Sequence, residues 1–540
     1  MHQRTLALCL TLLLAACGGG TSEAPVAPPG TPPVTPPTTL PQTYVPSGRS
    51  TAGDVFVHLF EWRWNDIALE CEQFLGPAGY KAVQVSPPSE HALIRTGGAF
   101  FPWWQRYQPV SYRLDNSRSG TAAEFRSMVS RCRAANVDIY VDAVINHMTA
   151  GAGTGSAGSV YSKYSYPDVP WTATDFHSPC GINSYNSASE VQNCELVGLA
   201  DLATGLGGVR DRIAAYLTAL HAIGVAGFRI DAAKHMRAVD LDAIIQRVNA
   251  QAISAGRSRP YVFLEVINNP GEAVTAEQYY GVGNASGGAA DITDFLYGYR
   301  LSDVYYNRNA ATLAGFLDRI TTGLLPSDKS VVFVDNHDNQ RGSNLSYADL
   351  PYAQAVALML AVPQGYPAVM SSFGFDRTSQ NGRDAGPPSD AGGVTESVFN
   401  GTTSRCTGTV GSPQLRSWIC EHRIPLIAQM VAFRKATAGA PMSDCGRGQW
   451  ALGGEPNRVA ICRDGSGFAA FSRTNTDNTV TLQTRLPAGS YCNVGRFVYT
   501  AGSGGTPASC SGAPIVVAVD GTASVPLPPF GTVALHVRAR

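Results

Sequence analysis

The chain has 540 residues, of which 44% are hydrophobic and 15% charged, and 40 Lys and Arg residues nearly balance 41 Asp and Glu residues. This length allows a large core and more than one domain. A formal net charge of -1 excludes the strongly basic surface with which nucleic-acid-binding proteins neutralise phosphates. The 56 Gly, 35 Pro and 12 Cys residues favour a loop-rich exported protein over a helical cytosolic one.

The N-terminus has the pattern of an export signal. A short basic start precedes an apolar run, Leu6 to Leu14, which is too short to span a bilayer as a mature helix. Two alanines and Cys17 follow and resemble a bacterial lipobox, so we expect a signal peptide over residues 1–17 and a lipid on Cys17, with ordinary cleavage near the alanines as the alternative. Residues 18–50 are rich in Pro, Thr and Gly and are expected to form an extended linker. The predicted location is extracellular or at the surface of a bacterial outer membrane.

The remaining cysteines indicate disulfide bonds. Ten are left once Cys9 and Cys17 are set aside, and an even number in an exported chain favours pairing. They lack the paired C-x-x-C spacing of a zinc site. In chain order they are Cys71, Cys132, Cys180, Cys194, Cys406, Cys420, Cys445, Cys462, Cys492 and Cys510.

Residues 51–440 alternate between strand-like and helix-like patterns. Apolar spacing predicts helices around residues 213–220 and 241–248. Eight strands with intervening helices predict an α/β fold, a (β/α)8 TIM barrel. The strands are expected at 54–60, 82–87, 138–146, 227–232, 261–267, 292–297, 331–338 and 366–372.

Two segments depart from this alternation. The glycine- and aromatic-rich stretch at about 148–205 predicts a loop subdomain inserted after the third strand. Residues 441–540 change to short alternating strands with Gly and Pro turns, which predicts a C-terminal all-β, Greek-key-like sandwich domain. The spacing Gly153-x-Gly155-x-x-Gly158 matches a dinucleotide-binding fingerprint, but no helical pattern follows it, so we reject that interpretation.

Carboxyl groups follow several of the predicted strands, where the active site of such a barrel lies. Asp231, Glu265 and Asp338 suit the cleavage of a glycosidic bond, which needs one carboxylate to attack the sugar and one carboxylic acid to protonate the leaving oxygen. Arg229 lies two residues before Asp231 on the same strand face and is expected to keep that aspartate ionised as the nucleophile. Apolar neighbours should keep the proton on Glu265 for acid catalysis. Asp338 is expected to remain ionised and to stabilise an oxocarbenium-like state.

An aromatic cluster between residues 102 and 108 predicts a platform for sugar rings. It contains Trp103, Trp104 and Tyr107. The alternative is core packing, but two adjacent tryptophans cannot easily both point inward. At least one of them is therefore expected to line a groove.

Together these runs resemble the conserved regions of α-amylases, closest to the animal-type branch, from about residue 54 to the C-terminus. The resemblance rests on motifs at 56–62, 84–88, 102–109, 142–147, 333–341 and 418–423. It implies an endo-acting, retaining hydrolase of α-1,4-glucans such as starch, glycogen and malto-oligosaccharides, acting as a monomer. It also implies that Asp231 is the nucleophile, Glu265 the acid/base and Asp338 the transition-state stabiliser. The implied sugar contacts are Trp104, Tyr107, His147, Arg229, Lys234 and His337.

The resemblance further implies a calcium site and a disulfide pattern. The calcium ligands would be the side-chain oxygens of Asn146 and Asp201 and the backbone carbonyls of Gln192 and His235, since calcium requires oxygen ligands. Without the resemblance, Asn146 and Asp201 would be interpreted as turn-capping residues. A further bridge of the family is lost, with Asp115 at one of its positions. The implied pairs are Cys71 with Cys132, Cys180 with Cys194, Cys406 with Cys420 and Cys492 with Cys510, which leaves Cys445 and Cys462 to pair with each other.

The chain departs from the family pattern in two places. Chloride-activated members bind the anion between Arg229, Asn336 and a third, basic residue, but Ala368 occupies that third position here, so weak or absent chloride dependence is expected. The glycine-rich mobile loop after Arg341 is replaced by residues 342–347. Two alternatives to hydrolysis remain open: a glucan transferase of the same superfamily, and a surface lipoprotein that binds starch without cleaving it.

Overall fold

The structure is a computed structural model that describes Leu40 and residues 52–95, 101–287, 289–320, 322–503 and 506–540. The predicted signal peptide, the lipidation site at Cys17 and all of the linker except Leu40 lie outside the described residues. Within the described ranges, no helix is long and apolar enough to cross a membrane.

Eight parallel strands close into a barrel, which confirms the predicted fold class. β1, β2, β3 and β6 to β10 form the barrel in the spatial order β1-β10-β9-β8-β7-β6-β3-β2, whereas β4 and β5 pair with each other in the insertion after β3. The strands are β1 (Phe56–Leu59), β2 (Ala82–Val85), β3 (Asp138–Ala143), β4 (Gly153–Thr154), β5 (Val160–Tyr161), β6 (Gly227–Ile230), β7 (Tyr261–Leu264), β8 (Asp291–Thr293), β9 (Ser330–Val332) and β10 (Tyr366–Ser371).

Helices follow the strands and cover the barrel. The predicted helices near residues 213–220 and 241–248 lie within α5 (Gly207–Ile223) and α6 (Ala238–Ser254), and the apolar residues that predicted them are buried. A capping box between Thr121 and Glu124 begins α3, and Gly224 ends α5 with a φ of 117°, a conformation that glycine adopts without strain. The helices are α1 (Trp64–Glu70), α2 (Gly76–Ala78), α3 (Ala122–Ala134), α4 (Ala188–Asn193), α5 (Gly207–Ile223), α6 (Ala238–Ser254), α7 (Phe295–Tyr305), α8 (Leu313–Asp318), α9 (Tyr352–Ala361), α10 (Gln380–Asp384) and α11 (Pro425–Ala436).

Several strands end earlier than the sequence predicts. The sixth predicted strand, 292–297, is wrong at its C-terminal end, because the Asp294 side chain accepts a hydrogen bond from the Tyr297 amide and begins α7. The predicted strands 138–146 and 331–338 end at Ala143 and Val332. The polar residues after them therefore lie beyond the hydrogen-bonded ladder, at the open end of the barrel.

Aromatic side chains fill the opposite end of the barrel. Phe56, Tyr140, Phe263 and Tyr366 are buried in one cluster with Tyr261. Phe56 packs edge-on against Tyr366 with 4.8 Å between ring centroids, and the Tyr140 and Tyr366 hydroxyls are 3.2 Å apart. The barrel interior is therefore a packed layer that supports the site above it.

The C-terminal part is all-β, as predicted. β13, β15, β16 and β23 form one sheet, to which β14 pairs through β15, and β17, β22, β21 and β18 form a second sheet. The strands that follow the barrel are β11 (Phe399–Asn400), β12 (Thr403–Ser404), β13 (Met442–Ser443), β14 (Ala451–Leu452), β15 (Glu455–Arg463), β16 (Gly467–Ser472), β17 (Asn478–Gln483), β18 (Gly489–Tyr491), β19 (Tyr499–Thr500), β20 (Ser509–Cys510), β21 (Ile515–Val517), β22 (Thr522–Leu527) and β23 (Thr532–His536).

Five disulfide bonds join cysteines of the described residues, and the pairs are those expected from the sequence. Three lie in the barrel and its insertion and two in the all-β part, and Asp115 pairs with Arg113 at 3.5 Å. The bonds are Cys71–Cys132, Cys180–Cys194, Cys406–Cys420, Cys445–Cys462 and Cys492–Cys510. A chain with this many disulfides is typical of an oxidising, extracellular environment.

Candidate active site

Arg229 is the central cation of a carboxylate cluster at the open end of the barrel. It lies on β6 and is 3% exposed. Its Nη1 atom lies 2.6 Å from Asp142 Oδ1 and 2.8 Å from Asp231 Oδ1, and its Nη2 atom lies 2.5 Å from Glu265 Oε1. One guanidinium thus holds three carboxyl groups, of which Asp231 and Glu265 contact neighbouring nitrogens. Asp142 received no role from the sequence, although it lies in one of the motifs.

The electrostatics of Asp231 depend on more groups than Arg229. Burial raises the pKa of Asp231 well above its usual range, and the negative charges of Glu265 and Asp142 add to this effect, whereas Arg229 opposes it. Arg229 thus favours the ionised form of Asp231, as expected, but burial and the two neighbouring carboxyl groups oppose it, and the ionised state of Asp231 stays a prediction. The sequence showed the adjacent arginine but not that it is shared among three carboxyl groups. Because these carboxyl groups interact, their protonation steps are properties of the whole cluster and not of single residues.

Glu265 lies in a more polar environment than its apolar sequence neighbours suggest. The residue is half-buried beyond the end of β7. Its Oε1 atom contacts Arg229, and its Oε2 atom accepts a hydrogen bond of 2.8 Å from the Ala232 amide. Ala232 reaches this position because its φ of 49° turns the chain sharply after Asp231. Val262, Phe263 and Leu264 lie on β7 and Val266 is buried after it, while the Glu265 side chain is 12% exposed, so its expected desolvation stays a prediction.

Asp338 lies at the rim of the cleft, and its side chain is 41% exposed. The surrounding protein and then the charge of Glu265 raise its pKa to about 7, while Arg229 and Arg341 oppose the shift. His337 Nε2 lies 3.3 Å from Asp338 Oδ2. Burial and the charge of Arg229 lower the pKa of His337 well below its usual range, so the imidazole beside Asp338 is neutral.

The aromatic cluster forms part of the cleft wall. The Tyr107 ring stacks on His337, with 4.9 Å between centroids and an interplanar angle of 7°, and its hydroxyl donates to Asp142 Oδ2 at 2.9 Å. Trp103 packs against Arg341, whose guanidinium carbon lies 4.6 Å from the ring centroid. Trp104 is half-buried. Trp103 is half-buried as well, so the expectation that at least one of the two lines a groove stays a prediction.

The other two predicted sugar contacts lie beside the cluster. His147 Nε2 is 3.0 Å from the Tyr107 carbonyl, and burial lowers the His147 pKa to about 4. The ammonium group of Lys234 contacts the Ile267 carbonyl at 2.6 Å and pairs with Glu272. It also lies 5.3 Å from the centroid of the Tyr185 ring, which is 40% exposed.

Sequence reasoning missed Tyr185 and Glu272. Both lie in irregular segments, and neither follows a strand, so no periodic pattern marks them. A signal was available for Glu272, because it follows Glu265 by seven residues in the loop that leaves β7. Their common partner, Lys234, could not be deduced from the spacing.

The four candidate calcium ligands lie where the insertion meets the barrel. The Leu202 amide donates to the Asn146 carbonyl at 3.0 Å, which brings Asp201 beside Asn146. Gln192 is near the end of α4, where carbonyl groups lack helical partners, and the preceding carbonyl, of Val191, is 2.9 Å from His235 Nδ1.

Two of these groups have the properties of cation ligands. Among the described residues, the buried Asn146 Oδ1 atom has no hydrogen-bond partner. Burial raises the pKa of Asp201 to about 6, and hydrogen bonds from His177 and Asn146 oppose this shift without cancelling it. His177 Nδ1 lies 2.6 Å from Asp201 Oδ2. A hard cation would pair with Asn146 Oδ1 and with the Asp201 carboxylate. These oxygen ligands therefore fit calcium.

The three positions compared with chloride ligands line one cavity in the barrel. Arg229, Asn336 and Ala368 all contribute to its wall. Asn336 Oδ1 also accepts hydrogen bonds from the Asp338 and Asn339 amides, at 3.0 and 2.8 Å, and so shapes the turn that carries Asp338. In the segment that replaces the glycine-rich loop, the Gly342 and Asn344 carbonyls accept hydrogen bonds from the Arg377 side chain.

Comparisons with known proteins agree with this geometry. Residues 452–538 match the family model "Alpha amylase, C-terminal all-beta domain". The chain is 43% identical to an α-amylase of Tribolium castaneum over 90% of this chain and 94% of the relative, and 42% identical to the pancreatic α-amylase of Sus scrofa over 92% and 97%. The crystal structure of α-amylase I from Eisenia fetida matches with a TM-score of 0.78 and 38% identity, covering 92% of this chain and 99% of that chain. A mutant of that enzyme was solved as a maltohexaose complex.

Proposed function

The chain belongs to the α-amylase family of glycoside hydrolases, and from this premise we propose that it cleaves internal α-1,4-glucosidic bonds of starch and glycogen with retention of configuration. The observation that carries the proposal is the arrangement of Asp231 and Glu265 on one guanidinium at the open end of the barrel. Retaining enzymes need two carboxyl groups close together, one as nucleophile and one as acid.

The proposed mechanism assigns one role to each carboxyl group. Asp231 attacks the anomeric carbon, Glu265 protonates the leaving oxygen and then activates water, and Asp338 stabilises the positive charge that develops on the sugar. Arg229 orients the first two groups. A bound sugar displaces water from the cleft, and the neutral imidazoles of His147 and His337 can then bind its hydroxyl groups without adding charge.

Further contacts are proposed along the cleft. Trp104 and Tyr107 would provide apolar ring faces for sugars, and Lys234 a charged donor for their hydroxyl groups. Tyr185 and Glu272, which contact Lys234, extend this surface on the other side of Glu265. Malto-oligosaccharides are therefore the proposed ligands of the whole groove, as maltohexaose is for the Eisenia fetida mutant.

We also propose that Asn146, Asp201 and the carbonyls of Gln192 and His235 hold calcium. The ion would join the insertion to the end of β3 and to the segment after β6, where Asp231 lies. It would supply positive charge and rigidity to this junction and take no part in bond cleavage.

Soluble starch with the purified protein tests the function. We expect the colour of the starch–iodine complex to disappear before many reducing ends appear, because internal cleavage shortens the chains quickly. Proton NMR should show the α-anomer in the first products. Cyclic or lengthened glucans would instead identify a transferase. Binding without product would identify a starch-binding protein and reject the proposal.

Variants test the roles of the carboxyl groups. Asp231→Asn and Glu265→Gln should each lower kcat by at least about 10³-fold on starch. A maltoside with a chloronitrophenyl leaving group needs little protonation, so it should restore cleavage in Glu265→Gln but not in Asp231→Asn. Asp318→Asn, at an exposed aspartate at the end of α8, is the matched control. Restoration in the opposite variant would reverse the assignment.

Export and acylation at Cys17 remain predictions. Mass spectrometry of the mature N-terminus from a bacterial host would distinguish a diacylated or triacylated Cys17 from an unmodified terminus. Size-exclusion chromatography with light scattering would test the expected monomer.

A further inference from the structure

Three side chains of types that can bind metals lie together at the carboxylate cluster. His58 lies on β1, Asp142 on β3 and His337 after β9, and all three are buried. One ligand atom from each lies within 4.8 Å of those from the other two. The His58 and His337 rings are perpendicular, with 5.4 Å between their centroids. Two imidazoles and a carboxylate form a recurrent ligand set for first-row transition metals.

The nitrogens of this group are only weakly engaged. The Gln84 amide nitrogen lies between two of the ligands, 3.5 Å from His58 Nε2 and 3.4 Å from Asp142 Oδ2, both long for hydrogen bonds. The buried Nδ1 atom of His337 has no partner among the described residues.

Carboxyl groups surround these three side chains. Arg229 is shared by three carboxylates, and Asp338 lies beside His337. Ala368, at the position where the family pattern has a basic residue, lines the same cavity as His58 and His337. Four carboxyl groups, of Asp142, Asp231, Glu265 and Asp338, therefore lie near two guanidinium groups, of Arg229 and of Arg341, which contacts the His337 carbonyl. A divalent ion would favour the ionised forms of these carboxyl groups.

We propose that His58, Asp142 and His337 bind a divalent transition-metal ion of the zinc class and that this ion inhibits the enzyme. Nitrogen ligands favour zinc, cobalt, nickel and copper over calcium. A metal at about 2.0–2.2 Å from each ligand requires the side chains to close by a small movement and displaces the Gln84 amide. The site is distinct from the oxygen-rich group at Asn146 and Asp201.

Inhibition follows from the other contacts of the ligands. Asp142 holds Arg229 and the Tyr107 hydroxyl, and His337 lies against Asp338. A metal bound to Asp142 and His337 would use the lone pairs with which these side chains contact their neighbours. Asp142 and His337 would then no longer position the residues that bind and cleave the sugar. The competition with substrate rests on the proposed function, whereas the binding of the metal does not.

Cobalt titration in excess calcium tests the binding directly. Calcium keeps the Asn146 and Asp201 group occupied, and Co²⁺ bound to nitrogen ligands is followed by its visible absorption. We expect one Co²⁺ per chain in the wild type and a loss of affinity of at least about tenfold in His58→Gln, since that variant removes one of three ligands. His536→Gln, at a buried histidine of the all-β part, should bind as the wild type does.

Zinc inhibition and copper EPR test the site and its effect on the reaction. Zn²⁺ should inhibit the wild type and the variants in competition with starch. With each protein's activity measured against its own activity without zinc, the inhibition constant of Zn²⁺ should be at least about tenfold higher in His58→Gln than in the wild type. If His58→Gln fails to fold, copper EPR of the wild type should show two nitrogen ligands, and saturating maltohexaose should reduce that signal. Unchanged Co²⁺ affinity in His58→Gln, a signal lost instead in His177→Gln, or copper without nitrogen coupling would overturn the proposal. Metal binding without inhibition would leave the site but reject its effect on the reaction.

Discussion

Arg229 sets the charge balance of the cleft at the scale of single residues. Its two terminal nitrogens contact Asp142, Asp231 and Glu265 within 2.8 Å. Because one cation serves three carboxyl groups, the removal of any one of them changes the proton affinity of the others. The effects of substitutions in this cluster should therefore not be additive.

Asp338→Asn should stabilise the protein at alkaline pH. Folding raises the Asp338 pKa from 3.8 to about 7. The unfolded chain therefore releases this proton first, and the stability gained below the unfolded pKa is lost as the pH rises through about 7. Asparagine carries no charge, so the Tm of Asp338→Asn minus that of the wild type should increase between about pH 5 and about pH 8.

Scanning calorimetry across this range measures the difference. Asp318→Asn, at an exposed aspartate, is the matched control for the same substitution. A flat or falling difference for Asp338→Asn would show that Asp338 has an ordinary pKa in the folded protein.

Turnover should not require chloride. Ala368 provides no positive charge where Arg229 and Asn336 line the cavity, so an anion would have one cation instead of two. Activity on starch in halide-free buffer should equal that in buffer with added chloride. Abolished turnover without halide, restored when halide returns, would contradict the prediction.

The identity of the cleft residues could be predicted from the sequence better than their charge states. Asp231, Glu265 and Asp338 were singled out because each follows a predicted strand of a barrel. The shared use of Arg229 and the amide bond from Ala232 to Glu265 depend on three-dimensional contacts between neighbouring strands, which a linear pattern does not contain. Asp142 was passed over for the same reason.

At the scale of elements, the same limit appears at the ends of strands. The alternation of apolar and helical patterns was sufficient to place all eight barrel strands. It was not sufficient to end β8 at Thr293, because the capping bond from Asp294 begins α7 within an apolar stretch. Local hydrogen bonds of this kind decide boundaries that hydrophobic periodicity leaves open.

The insertion should depend on calcium more than the barrel does. If Asn146 and Asp201 hold the ion, removal with EGTA should lower the Tm of the wild type. A ligand at about 100 times its dissociation constant stabilises a protein by about 2.7 kcal/mol. Asn146→Ala, which removes the unpartnered Oδ1 atom, should start at the lower Tm and lose little more on chelation.

The control for this prediction lies in the same insertion. Asn186→Ala changes an exposed asparagine and should respond to EGTA as the wild type does. Isothermal titration should show calcium binding to Asn186→Ala and much weaker binding to Asn146→Ala. Equal affinities would remove Asn146 from the ligand set.

At the scale of the whole molecule, the all-β part is fixed to the barrel by buried polar side chains. Arg463 on β15 donates to the carbonyls of Ala361, at the end of α9, and of Thr437 and Ala440, after α11, at 2.9 to 3.1 Å. The last carbonyls of a helix lack partners within it, so these bonds satisfy groups that would otherwise be buried unpaired. These directional hydrogen bonds therefore favour one position of the all-β part against the barrel.

Gln354→Leu should weaken this junction without affecting the cleft. Gln354 Nε2, on α9, lies 2.9 to 3.1 Å from the carbonyls of Ser472, Phe530 and Gly531 in the all-β part. Leucine has a similar size but no donor, and removing the donor of a buried carbonyl costs about 1–3 kcal/mol. The Gly531 carbonyl keeps its hydrogen bond from the Ser472 amide. Urea unfolding should show that loss in the free energy of unfolding, while the KM for starch stays unchanged because Gln354 does not contact the carboxylate cluster.

Gln251→Leu, at an exposed glutamine of α6, should unfold as the wild type does. Equal stability of the two variants would show that the contact between the domains is maintained by apolar packing alone.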